Sequence, residues 1–239
     1  MKLALPDVWR DMKLLWQSKA EGLFAILGVF VFLPVFAQIL FIETPEIKSL
    51  DWNAVQTMTD YYGANVLPLI GVRMVTLVGG GAMLALLLVE TSPSPGEAIM
   101  RAFRFLPSLF LLSVLITFFV GAGLFAFIVP GLYFFARAIV AEAAMIAEGI
   151  SNPFVSLARS LQITGRQGWT VLALLAVFVI ATWIATQLVG FVIGVAGALL
   201  LPESEVVIAT ALIGALSNVA FAAVTTLFGV AIYRRGVQA

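Results

Sequence analysis

The sequence predicts an all-α integral membrane protein with six transmembrane helices. Three observations carry that expectation. Six apolar stretches are each long enough to cross a bilayer, Lys and Arg collect in alternate gaps between them, and those gaps repeat one plan. The chain is 62% hydrophobic and 11% charged, with a mean hydropathy of +1.09. Soluble domains carry about 25% charged residues. A chain of 239 residues with this composition cannot hide its apolar surface in one core, so lipid is expected to be its main solvent.

A spanning helix needs about 20 largely apolar residues. Such segments fall near 22–42, 64–90, 106–127, 129–148, 169–197 and 206–232. The chain opens Met1-Lys2-Leu3-Ala4-Leu5-Pro6 and continues amphipathic and charged, unlike the short apolar core of a cleavable signal. In this opening segment Val8, Met12, Leu15 and Trp16 share a helical face, while Asp7, Arg10, Asp11 and Lys13 lie elsewhere. That pattern suits a helix resting among headgroups, anchored by Trp9 and Trp16.

After the first span comes an acidic segment, Glu43 to Asn65, whose Asp51-Trp52 and Tyr61-Tyr62 suggest a short helix on the outer surface. The second span carries Arg73 and Gly79-Gly80-Gly81. The glycines suit close helix packing, with a hinge as the alternative. Ser94-Pro95-Gly96-Glu97 reads as an N-cap, a first-turn proline and a first-turn acid, and Ser151-Asn152-Pro153 reads similarly. The third and fourth spans separate at Val129-Pro130-Gly131, because Pro130 cannot continue a hydrogen-bonded helix but fits a first turn. The fifth span is too long to stand upright, so it tilts or projects beyond the hydrocarbon. Gly190 and Gly194 form a GxxxG pair within it, again a close-packing signal.

Ten of the thirteen Lys and Arg residues occupy alternate gaps: Lys2, Arg10, Lys13 and Lys19, then Arg101 and Arg104, then Arg159 and Arg166, then Arg234 and Arg235. The opposite side holds only Lys48, with Glu43, Glu46, Asp51, Asp60, Glu203 and Glu205. The positive-inside rule then places both termini in the cytoplasm.

The basic gaps also resemble one another. Pro95, Arg101 and Glu90 recur 58 residues later as Pro153, Arg159 and Glu148, and Pro6 and Lys19 recur 147 residues later as Pro153 and Arg166. The simplest reading is one six-span domain over 1–239, built as three units near 5–90, 91–148 and 151–235. Each unit is a cytoplasmic amphipathic helix followed by a transmembrane hairpin. Repeats of this kind serve as scaffold or surround a transport site.

A charge in the membrane interior costs about 2.5–3.5 kcal/mol on insertion scales, so it needs a partner or a purpose. The candidates are Arg73, Arg137, Glu142 and Asn218, with Gln38 and Gln187 weaker. Arg137 and Glu142 are five residues apart, about 140° net around a helix, so they do not share a face. Glu142 is expected to meet Arg73 from the neighbouring hairpin. These groups form an anion-binding or ion-coupled site, or they are structural pairs and snorkelling side chains. Asn218, beside Ser217, also suits helix–helix adhesion.

The chain has no Cys and no His. Disulfides, thiolate or imidazole metal sites and Ser-His-Asp triads are thereby excluded. No nucleophile–base pair is visible, so no catalytic, metal or cofactor residue is assigned and a non-enzymatic protein is expected. Net charge is zero with no basic block, which argues against nucleic acid.

Val129-Pro130-Gly131-Leu132-Tyr133, Arg137, Glu148-Gly149, Pro153, Ala158-Arg159-Ser160, Thr164 and Trp169 follow in an order that resembles a group of bacterial six-span inner-membrane proteins. That group includes the membrane domain of some glycerophosphodiester phosphodiesterases. Ser94-Pro95-Gly96-Glu97-Ala98 and Arg101 belong to the likeness, which is best over roughly 90–175. It implies a six-span fold in the bacterial inner membrane with cytoplasmic amphipathic helices. The phosphodiesterase activity resides in a separate barrel and is not carried over.

Two functions follow as expectations. In the first, the protein organises membrane lipids or partner proteins, a second copy of itself included. Arg10, Lys13, Lys19, Arg101, Arg104, Arg159 and Arg166 would then lie on anionic headgroups, at about 1 kcal/mol each. In the second, it transports or conducts a small anionic or amphiphilic molecule through Arg73, Arg137 and Glu142. A cavity reaching the arginines favours transport, and a packed interior favours the scaffold.

Overall fold

The computed structural model describes residues 3–42, 44–45, 51–89, 93–200 and 202–238. Lys2, Glu43, Glu46, Lys48, Glu90 and the side chain of Glu203 lie outside the described residues. The rest is helical, with no strand among the described residues and six helical stretches long and apolar enough to cross a membrane.

Helix α1 (Leu5–Leu27) joins the amphipathic segment to the first span and kinks at Lys19 (φ −139°, ψ 20°). Val8, Met12 and Leu15 of its first half are buried against protein rather than turned to headgroups. A π turn over Gly28–Phe32 follows, then α2 (Leu33–Phe41). Pro34 explains the π turn. It offers no N–H to Phe30, four residues back, and its ring would press on that carbonyl, so a locally widened helix takes up the mismatch.

Helix α3 (Trp52–Leu88) corrects the expectation of a separate surface helix. Asp51 caps it, its Oδ1 accepting from the Ala54 N–H at 3.1 Å. No residue between there and the second span forces a stop, so this segment and the span are one helix. Its 37 residues extend about 55 Å, well beyond a hydrocarbon core of about 30 Å. Helix α4 (Pro95–Ala126) likewise fuses the second amphipathic segment with the third span. Its start follows the sequence: Ser94 and Glu97 form a reciprocal capping box.

The fourth span is two pieces. Helix α5 (Ile128–Ala138) follows an extended residue, Phe127, and puts Pro130 in its first turn. Helix α6 (Ala141–Glu148) ends at Gly149 in the left-handed conformation (φ 70°). Between them Ile139 and Val140 break the helix. Helix α7 (Pro153–Ile163), capped by Asn152 Oδ1, leads through a 3₁₀ turn (Gly165–Gln167) to α8 (Gly168–Leu200) and α9 (Glu203–Val237). The separation of amphipathic helix from span is thus present in α1 and at α7–α8, and absent in α4.

The starts of α1 and α4, the ends of α3, α6 and α9, and all of α7 meet at one end of the bundle. Fully buried side chains such as Leu23, Met83, Leu109, Met145, Ile146, Phe228 and Ile232 concentrate in that half. Elsewhere the apolar surface is bare, with Phe125 97% exposed and Leu67 79% exposed. Such surface is stable only against lipid. Two of the three consecutive glycines pack closely: a Cβ on Gly79 would fall 2.7 Å from Phe30 Cβ, and one on Gly81 2.9 Å from Leu109 Cδ1. At the GxxxG pair, Gly190 approaches Ile213 of α9, but Gly194 has nothing within 4 Å.

Candidate functional site: a cavity lined by Arg73 and Glu142

Between α2, α3, α4, α5, α6 and α9 lies a half-open cavity of about 630 Å³. Gly80, with no side chain to fill the space, opens onto it, since nothing lies within 4 Å of where its Cβ would sit. Its polar lining comprises Gln38, Arg73, Thr76, Ser113, Thr117, Glu142, Asn218, Thr225 and Thr226. Three of the four intramembrane groups singled out in the sequence therefore share one space.

The neutral polar groups are mostly tied to their own helices. Thr76 donates to Arg73 O at 2.9 Å, Ser113 to Phe110 O at 2.8 Å, Thr225 to Phe221 O at 2.7 Å, and Asn218 Nδ2 to Gly214 O at 3.0 Å. The three hydroxyls thereby commit their one proton and keep oxygens available to accept, while Asn218 retains a second N–H. Arg73 and Glu142 are different. They are close enough for their charges to act on each other. Yet among the described residues neither side chain has an ion-pair or hydrogen-bond partner, so the expected Arg73–Glu142 pair does not form directly. Arg73 and Asn218 are exposed and Glu142 is half-buried.

Arg137 is not in this cavity. It stands at the end of α5, where the guanidinium donates through Nη2 to Leu161 O and through Nε to Thr164 Oγ1 at 3.4 Å, and lies 5.7 Å over the Tyr133 ring. Its carbonyl belongs to the last turn of α5, where the helical ladder lacks partners. Ser160 Oγ donates to it at 2.6 Å. One turn earlier on α7, Ser156 Oγ donates to Ala141 O at 2.6 Å, and one turn later Thr164 Oγ1 lies 3.4 Å from Arg137 O and 2.8 Å from Ser160 O. Ser156, Ser160 and Thr164 are all buried. The three hydroxyls, four residues apart on one face, latch α7 onto the broken span. In the sequence Ser160 and Thr164 enter only as part of the family likeness and Ser156 not at all, although the i, i+4, i+8 spacing in a largely apolar and basic helix was a usable signal.

Two basic residues expected at headgroups, Arg101 and Arg159, and the C-terminal Arg234 bind protein. Arg101 Nη2 donates to Ile146 O at 3.0 Å, at the end of α6, and its buried Nε has no partner among the described residues. Arg159 pairs with Glu148 at 3.0 Å, and Tyr233 donates to the same carboxylate at 3.1 Å. Arg234 donates to Leu87 O at the end of α3. With Arg137 on Leu161 O, three arginines each sit on the C-terminal carbonyls of another helix, where a cation is favoured. Lys19 is at the α1 kink beside a second cavity of about 430 Å³. Arg10 pairs with Asp7 at 3.2 Å but stays exposed, as do Lys13, Arg104 and Arg166.

Arg235 pairs with Asp11 at 2.6 Å and lies 3.9 Å from Asp7, fastening α9 to α1. Because the pair is part-exposed and Asp7 remains as a substitute, Asp11→Asn should cost less than about 1 kcal/mol, measured by thermal unfolding in detergent. No protein-family description, curated protein or solved structure matches the chain.

Proposed function

We propose that the protein is a non-enzymatic carrier or channel that takes a small anionic or amphiphilic molecule into the cavity around Arg73. The carrying observation is the cavity itself, half open between the helices, whose lining includes an exposed arginine unpaired among the described residues. A membrane protein that leaves such a charge without a partner bears an insertion cost of about 2.5–3.5 kcal/mol. A bound anion offsets that cost, and a guanidinium suits phosphate or carboxylate through paired N–H donors.

In this reading both termini are cytoplasmic and the membrane is the bacterial inner one, as the alternation of basic residues and the likeness over 90–175 suggest. The three-unit duplication rests on the recurring offsets and on the shared break before the span in the first and third units. The test is binding of glycerol 3-phosphate and phosphatidylglycerol to the purified protein in nanodiscs. Arg73→Gln should weaken binding at least tenfold, while Thr186→Val, which removes a hydroxyl bonded only within α8, should leave it unchanged. Equal binding by wild type and Arg73→Gln overturns the proposal.

A second reading has its own support. Leu5, Trp9 and Leu14 of α1 and Phe154 and Val155 of α7 expose apolar side chains beside Arg10, Lys13 and Arg166. That surface suits anionic lipid at the membrane face. Flotation with anionic liposomes that persists in Arg73→Gln assigns lipid contact to this surface rather than to the cavity.

A further inference from the structure

The cavity carries a feature that an anion site alone does not require. Glu142 projects into the same space as Arg73, from the first turn of α6. An unpartnered carboxylate beside an anion site repels the ligand and raises the cost of the empty cavity. The two charges lie on different helices and are kept apart by the space between them rather than closed into a pair. Around them, Thr76, Ser113 and Thr225 spend their single hydroxyl protons on their own helices and present oxygens that accept hydrogen bonds, which suits an N–H donor more than a second anion.

We infer that the cavity takes a zwitterion, its phosphate or carboxylate on Arg73 and its ammonium on Glu142. This rests on the reading of the cavity as a ligand site and narrows the ligand class. Both protein charges are then compensated in one step, and the Glu142 carboxylate becomes attractive instead of repulsive. The same chemistry is offered by a free amino-phosphate and by the headgroup of an ethanolamine phospholipid.

The experiment measures binding to the full chain in nanodiscs made of a neutral lipid. O-phosphoethanolamine and phosphatidylethanolamine are compared with glycerol 3-phosphate and phosphatidylglycerol, which carry the anion without the ammonium. Wild type should prefer the zwitterion of each pair at least tenfold. Glu142→Gln, near-isosteric, should abolish that preference while keeping binding of the anion-only probe, and Glu142→Asp should retain part of it. A preference confined to O-phosphoethanolamine assigns the free solute, and one shown by the phospholipid assigns the headgroup. Equal binding of zwitterion and anion by wild type, or a preference unchanged in Glu142→Gln, overturns the inference. If those same probes bind in an Arg73-dependent way, the anion-site reading survives. If no probe responds to Arg73→Gln, both fall.

Discussion

Gly131→Ala should be among the most damaging single substitutions in the chain. A Cβ built on Gly131 falls 2.6 Å from the backbone nitrogen of Leu124, and one on Gly123 falls 2.7 Å from Gly131 Cα. These two glycines flank the turn at Phe127, where the third and fourth spans reverse direction, and there each backbone rests on the other. Neither clash is with the end of a flexible side chain, so relief requires moving α4 away from α5. Overpacking of this kind costs about 1–3 kcal/mol and occasionally more. Gly80→Ala is the control, since its Cβ meets nothing within 4 Å. In a helix interior that change should be neutral, or stabilising by up to about 1 kcal/mol. Thermal or SDS unfolding of the purified variants reads both. If Gly131→Ala unfolds like wild type, the close α4–α5 approach is not a constraint on the fold.

The same turn shows what was legible. Pro130 and its neighbours mark a reversal in the sequence because proline and glycine act locally, and the helix boundary at Phe127 lies within a few residues of that mark. The N-cap at Ser94 and the cap before Pro153 are local signals too, and both occur, the first as a reciprocal capping box with Glu97 and the second through Asn152. The break at Ile139–Val140 is of another kind. Its neighbours Ala138 and Ala141 favour helix, and nothing local stops the chain there. Tertiary contacts create it. Gly229 of α9 comes close enough that a Cβ would lie 3.0 Å from Ile139 O, and Ser160 of α7 donates to the Arg137 carbonyl. Hydropathy sees an unbroken span because both halves are apolar.

The candidate site divides along the same line. That Arg73, Glu142 and Asn218 were worth attention followed from the cost of polar groups in lipid, which needs no structure. That they converge on one cavity, while Arg137 does not, depends on which helix faces turn inward. Hydropathy carries no such information in spans apolar all round. The basic residues were read as facing lipid because charge alternation reports the side of the membrane. Whether a guanidinium then meets a phosphate or a neighbouring helix's carbonyl is decided by helix ends such as Leu87 and Ile146, far away in sequence.

The latch on the broken span yields the second large effect. Ser160→Ala removes the hydroxyl that donates to Arg137 O at 2.6 Å, leaving Thr164 Oγ1 at 3.4 Å as the side-chain donor still in reach. A buried carbonyl left unsatisfied costs about 1–3 kcal/mol. Thr164 has one hydroxyl proton and divides it between Ser160 O at 2.8 Å and Arg137 O. In Ser160→Ala that proton can shift to Arg137 O, softening the loss. Thr164→Val alone leaves Ser160 in place but deprives Arg137 Nε of its acceptor. In the double variant neither hydroxyl remains, so the combined loss should exceed the sum of the single losses, as it does when two groups back each other up. Thr186→Val removes a hydroxyl bonded only within α8, to Trp183 O, and should change stability by less than about 0.5 kcal/mol. Strict additivity of Ser160→Ala and Thr164→Val in an unfolding double-mutant cycle would mean that the two hydroxyls act separately. A super-additive loss instead identifies α7 as the clamp that holds α5 and α6 in two pieces and so keeps Glu142 turned into the cavity opposite Arg73.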